Sequence, residues 1–191
     1  MVWIASNKYL GLADMQNNAK IIKDYFTDKG YTLNAISAML GNMQTESTIN
    51  PGIWESLIVD YERGYGLTQW TPATKYINWA GNNWTDPNRE LERIEYEVNN
   101  NLQWFSNDNA PVVDPPITFA EFTKSVLSCE TLANYFLWYY EHPANIDQPD
   151  RALQARYWYD YFYSDPDPPI PPRPPLRYKK LKPIYYGRLW I

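Results

Sequence analysis

The stretch from Leu33 to Met43 is apolar at helical spacing and stops before a breaker, Asn50-Pro51-Gly52. No other pattern constrains the fold as strongly. At about 100° per residue, Leu33, Ile36, Met39, Leu40 and Met43 share one face of a helix. Such a stripe has to be covered by other elements. Glu46 falls at its edge, so the helix delivers a carboxyl group to the margin of the core. Partial burial disfavours the charged form, and so does the negative end of the helix dipole. Cleaving a sugar acetal requires a proton at the leaving oxygen, and a carboxyl so placed suits that task. The competing reading is an ordinary surface glutamate near a helix C-terminus.

Helical patterns fill most of the remaining chain. Asp14 can cap a helix carrying Ile21, Ile22, Tyr25 and Phe26 that ends near Gly30. Thr32 or Asn34 can start the Glu46 helix. Residues 74–81 read as a short helix with Tyr76, Ile77 and Trp79. Asp86-Pro87 is a cap followed by a first-turn proline, opening a helix expected to run through Ile94 and Val98 to Leu102 and Trp104. Thr118 caps a short helix through Phe122 and Val126. A helix from about Glu130 to Glu141 places Phe136, Leu137 and Tyr140 on one side, and Asp150 caps a last one through Tyr157 to Phe162. Only 53–69 looks irregular, with room for a small hairpin. The expected fold class is mainly α, with residues 1–164 as one domain.

Residues 165–191 differ in kind. They hold 8 of the 16 prolines and are basic, with six Lys and Arg against two Asp. A run such as Pro168-Pro169-Ile170-Pro171-Pro172 favours extended polyproline II and cannot continue a helix. This Pro-rich basic tail reads as a stiff spacer for docking on a partner or packing back on the domain, or as simple disorder.

Composition excludes several function classes. The single Cys129 cannot form an intrachain disulfide or a CxxC site, and the single His142 argues against a His-based metal cluster or a Ser-His-Asp triad. No metal and no cofactor are expected. No apolar run reaches transmembrane length and the N-terminus lacks a signal-peptide pattern. With 9 Trp and 17 Tyr the chain is rich in flat rings. Most should be core, while a minority can line a carbohydrate groove or a single-stranded nucleic-acid platform. Residues 1–164 carry 11 Lys and Arg against 20 Asp and Glu, so the body is a poor phosphate binder and no nucleic-acid partner is expected.

The segment Leu40-Gly41-Asn42-Met43-Gln44-Thr45-Glu46-Ser47, with Asn50-Pro51-Gly52 and then Gly64-Tyr65-Gly66-Leu67-Thr68-Gln69-Trp70-Thr71-Pro72, resembles the phage tail lysozyme family. It resembles in particular the peptidoglycan-degrading domain of tail-knob proteins from short-tailed phages of Gram-positive hosts. Tyr76–Ala80, Glu97–Asn101, Tyr140–Asn145 and Tyr157–Tyr159 extend the likeness to about residues 1–163. The resemblance implies a lysozyme-like α+β domain with a small hairpin near the active site. It implies cleavage of peptidoglycan glycan strands between N-acetylmuramic acid and N-acetylglucosamine by an N-acetylmuramidase of the virion tail, acting at the bacterial cell wall. Glu46 matches the family's acid, and Gln69 a glutamine that faces the sugar cleft. Longer family members carry a second, metal-dependent peptidase domain that has no counterpart in this sequence, and other virion tail proteins are candidate partners for the Pro-rich tail.

A glycosidase usually needs a second carboxylate. Glu55, Asp60 and Glu62 on the connecting segment are the candidates; Asp60 and Glu62 lie closest to the Gly64–Gln69 stretch and are preferred, Asp60 first, and each also reads as a solvated loop charge. Some relatives use the substrate's N-acetyl group or release an anhydro-sugar instead. Tyr65, Gly66, Trp70 and Tyr140 are the candidate sugar contacts beside Gln69, with core packing as the alternative for the rings. Glu141, before His142-Pro143, reads as structural. The alternative function is a non-catalytic peptidoglycan-binding or structural tail module on the same scaffold.

Overall fold

The computed structural model describes residues 1–106, 110–113 and 116–164. The Pro-rich segment 165–191 lies outside the described residues, and with it the expectation of a stiff docking tail. Seven helices carry the described fold: α1 Leu12–Asp28, α2 Leu33–Ser47, α3 Thr74–Ala80, α4 Pro87–Asn99, α5 Phe119–Lys124, α6 Cys129–Phe136 and α7 Pro149–Tyr163. The mainly α class is as expected.

The apolar helix is the centre of the domain. Thr32 caps α2 by accepting from the Ala35 N–H, and every residue from Ala35 to Met43 is buried. The helix stops where Thr48 and Ile49 take left-handed backbone, φ 54° and 53°. For the β-branched Ile49 that conformation is strained. It is held from outside by Asn18 of α1, whose Nδ2 donates to the Ile49 carbonyl at 2.9 Å. Helices α6 and α7 close over α2. The α2–α7 crossing is so tight that a Cβ on Gly41 would meet the Arg151 carbonyl oxygen at 2.5 Å and the Ala155 nitrogen at 2.6 Å.

Local signals set most of the helix starts. Asp86 accepts from the Asn88 N–H with Pro87 in the first turn, and Thr118 with Glu121 forms a reciprocal capping box. Two helices start earlier than expected, α1 after Gly11 and α7 after Gln148, with Asp14 and Asp150 inside their first turns and not capping. Three others end differently. α4 ends at Asn99, short of Leu102 and Trp104, as the chain turns through Asn101 and Gln103 at positive φ. Trp104 instead stacks among Phe119, Phe122 and Tyr139. α5 stops at Lys124 and leaves Val126 exposed. The helix expected over 130–141 is α6 followed by a π-helical turn, Leu137–Glu141, closed by His142 in left-handed backbone.

The small hairpin expected within 53–69 is not shown as a pair of strands. Two isolated antiparallel bridges, Trp54 with Tyr65 and Tyr65 with Trp70, stand in its place. The first bridge is closed by two hydrogen bonds, from the Glu55 N–H to the Gly64 carbonyl at 2.9 Å and from the Gly66 N–H to the Ile53 carbonyl at 3.0 Å. The Leu67 N–H donates to Glu90 Oε2 at 2.7 Å, and the Leu67 carbonyl accepts from Ser47 Oγ at 2.9 Å. Both Leu67 backbone groups are thus satisfied by side chains from α4 and α2.

Candidate active site

Glu46 sits on the last turn of α2 with a side chain 22% exposed, at the margin of the core as the helical wheel requires. It is not isolated. Arg151 of α7 donates from Nη2 to Glu46 Oε1 at 2.5 Å. The guanidinium is buried and held on two more sides, by Asn42 Oδ1 at 3.0 Å and Gln148 Oε1 at 2.9 Å. Asn42 donates in turn to the carbonyls of Ala38 and Ala133. One polar chain therefore runs from α6 through α2 to α7 and ends on the Glu46 carboxyl. In this arrangement the Glu46 oxygen facing Arg151 accepts a hydrogen bond and offers no proton, so the picture of a lone donor needs revision.

A second carboxyl group shares the neighbourhood. Glu141 ends the π-helical turn and its Oε1 is buried without a hydrogen-bond partner. Burial drives its carboxyl well above the usual range; the charge of Glu46 adds to the rise, Arg151 opposes it, and Glu97 adds again. Next in the chain, His142 stacks on Phe105 with ring centroids 3.8 Å apart, and burial pulls its imidazole below its ordinary value.

The Gly64–Trp70 loop lies against the end of α2 through the Ser47–Leu67 bond. Gly66 has φ +80°, and a Cβ there would meet the Glu90 carboxylate at 2.6 Å, so only glycine fits. Gln69, two residues beyond Leu67, is half-buried; its Nε2 donates to the carbonyls of Gly66 at 2.9 Å and Ile53 at 3.3 Å. Its N–H groups hold the loop, and its Oε1 lies over Gly64, 2.9 Å from where a Cβ on that residue would stand. Tyr65, Trp70 and Tyr140 are buried. Trp70 Nε1 donates to Glu97 Oε1 at 3.1 Å, and the Tyr140 hydroxyl donates to Glu97 Oε2 at 2.5 Å. These rings face the core, the alternative kept open for them above.

Asp60 and Glu62 stand on the surface side of 53–69. Asp60 Oδ1 accepts from the Glu62 N–H at 3.0 Å, and its other oxygen lies 3.5 Å from Arg63 Nε. It caps a turn, which is why this acid is better fixed than the exposed Glu62. Neither is in hydrogen-bond contact with Glu46.

Sequence reasoning missed Arg151, Glu90 and Glu97. A signal was present. Arg151 falls in register with the buried Ala155 and Trp158 of α7, and Glu90 and Glu97 with the buried Ile94 of α4. A charge on an apolar stripe requires a partner inside the fold.

A helical domain that brings a helix-end carboxyl beside a glycine-aromatic loop is the architecture expected of a lysozyme-like module. Residues 17–162 match the family model described as phage tail lysozyme. Over 162 residues the chain is 49% identical to morphogenesis protein 1 of Bacillus phage B103, an alignment covering 83% of this chain and 42% of that protein. The chain thus spans less than half the length of this relative. It belongs to the phage tail lysozyme family.

Proposed function

We propose that this chain is a muramidase that cuts the glycan strands of bacterial peptidoglycan as part of a phage virion, with Glu46 as the proton donor to the departing sugar oxygen. Family membership supports the reaction class. The relative's name, a morphogenesis protein of a phage, supports a place in the virion. The observation that carries the site is the Ser47–Leu67 hydrogen bond, which seats the half-buried Glu46 beside the Gly64–Trp70 loop. In this reading Gln69 meets the sugar through its carbonyl oxygen. Tyr65, Gly66, Trp70 and Tyr140 shape the loop that presents it. Asp60, fixed by its turn and by Arg63, is the second carboxylate. Its distance from the acid decides the outcome, roughly 5–5.5 Å for retention and roughly 6.5–9.5 Å for inversion.

The Glu46–Arg151 ion pair favours a second reading, a wall-binding tail module without catalysis, because it ties one oxygen of the candidate acid to the scaffold. Digestion of Gram-positive cell walls followed by mass spectrometry separates the two. Released muropeptides with reducing-end muramic acid support the muramidase. Protein that sediments with peptidoglycan and releases nothing supports the binding module.

A further inference from the structure

Three side-chain bonds in a row fasten the last turns of α2 to α7. Trp158 Nε1 donates to Gln44 Oε1 at 2.9 Å, Thr45 Oγ1 to Gln154 Oε1 at 2.8 Å, and Arg151 Nη2 to Glu46 Oε1 at 2.5 Å. The first two join neutral groups. The third sets a cation against the candidate acid. We propose that Arg151 is the positioning residue for that acid: it holds Glu46 Oε1 as a fixed acceptor, leaves Oε2 to carry the proton, and stabilises the negative charge that stays on the carboxyl as the proton departs. This rests on the muramidase reading of the site.

Three observations carry it. First, the guanidinium engages one carboxyl oxygen. Its contact is to Oε1, and Glu46 Oε2 makes no hydrogen bond among the described residues. A protonated carboxyl carries O–H on one oxygen and accepts on the other, so the contact to Oε1 decides which oxygen is the donor. Second, the buried Arg151 is anchored without help from Glu46. Nη1 donates to Asn42 Oδ1 at 3.0 Å and Nε to Gln148 Oε1 at 2.9 Å. Gln148 is itself held, with its Nε2 donating to the Asn145 carbonyl at 2.7 Å, and the buried Asn42 is tied to the Ala38 and Ala133 carbonyls, both at 3.0 Å. The cation therefore stays in place while the charge on Glu46 changes, and a charge fixed in advance is what stabilises a transition state without reorganisation. Third, the close approach of the Arg151 carbonyl to Gly41 leaves the backbone of this residue no room to shift toward α2.

The step balances. The glycosidic C–O bond breaks and its electron pair goes to the leaving oxygen, which takes the proton from Glu46 Oε2. The electron pair of the broken O–H bond stays on Glu46, and the new carboxylate faces the guanidinium. Water supplies the hydroxyl that the sugar carbon gains and the proton that restores the acid.

The test is muropeptide release by the wild type, Arg151→Lys and Arg151→Met, with kcat and KM measured separately and circular dichroism to verify the fold. We expect Arg151→Met to lose about 100-fold in kcat with KM unchanged within about twofold. Arg151→Lys keeps a cation of different shape and should recover at least about tenfold of that loss. A folded Arg151→Met with wild-type kcat, a loss carried by KM, or a lysine variant no better than the methionine one overturns the proposal while the muramidase reading stands. Wild-type protein that releases no muropeptides removes that reading itself, and this inference with it. Should Arg151→Met fail to fold, Gln148→Leu decides, because it frees the Nε corner of the guanidinium and leaves the cation in the protein: a fall in kcat of about threefold or more with KM unchanged supports the proposal, and a wild-type kcat overturns it.

Discussion

Two buried acids, Glu97 and Glu141, sit in one neighbourhood and differ in how they are satisfied. The Glu97 carboxylate takes a hydrogen bond from Arg93 at 2.8 Å, one from Trp70 Nε1 and one from the Tyr140 hydroxyl. Glu141 keeps a buried oxygen with no partner, near the Glu46–Arg151 pair. Burial raises both carboxyls, but around Glu97 the Tyr140, Arg93 and Trp70 donors pull the other way. A saturated acid ties elements together: here it fixes α4 to the Gly64–Trp70 loop and to the π-helical turn. An unsaturated one ties nothing together through that oxygen. The Glu97 network therefore reads as scaffold, and the Glu141 oxygen as a buried group outside it.

That contrast can be broken by experiment. Glu46→Gln keeps an acceptor for Arg151 and should leave the fold intact while lowering muropeptide release by at least about 100-fold; a folded variant that still clears cell walls would strip Glu46 of its role. Glu97→Ala should act on stability in the first place. It strands a cation, an indole N–H and a phenol in the interior, at a cost of about 3–5 kcal/mol, read as a lowered unfolding midpoint in urea. A loss below about 1 kcal/mol would mean that the Glu97 network is not scaffold.

A third prediction concerns pH. Burial holds Glu90 well above the ordinary 4.5, opposed only by the Leu67 N–H. The folded chain therefore binds a proton that the unfolded chain has released. The stability this contributes is full below 4.5 and is lost as pH rises through the folded value. His142, pulled downward, changes stability in the opposite sense, so the difference between wild type and Glu90→Gln isolates the glutamate. The wild type should lose more of its melting temperature than the variant on going from pH 4.5 to neutrality; parallel curves would contradict the burial of a neutral acid behind Gly66. The smallest effect on stability is expected at the surface. Asp60→Asn should cost under about 0.5 kcal/mol, yet it should reduce muropeptide release if Asp60 is the second carboxylate. Unchanged turnover would hand that role to another group.

Much of the helical frame was legible in the sequence. The apolar spacing of α2, the Thr32 cap, the Asp86-Pro87 start of α4 and the Thr118–Glu121 box all act within one or two turns, so neighbours in the chain suffice to reveal them. The place of Glu46 at the margin of the core followed from the same short-range geometry. Helix ends were less legible, because α4 stops where Trp104 finds better company among Phe119, Phe122 and Tyr139.

The sequence by itself determined which segments coil, which faces are apolar and where on its helix the candidate acid stands. Only the tertiary structure decided what that acid meets. Arg151 reaches Glu46 from 105 residues away, and Glu90 and Ser47 meet the Leu67 backbone groups from 23 and 20 residues away. The physical reason is range. Periodicity and capping are set by residues three and four apart, whereas the partner of a buried charge is set by how separate helices pack, and no local pattern carries that information.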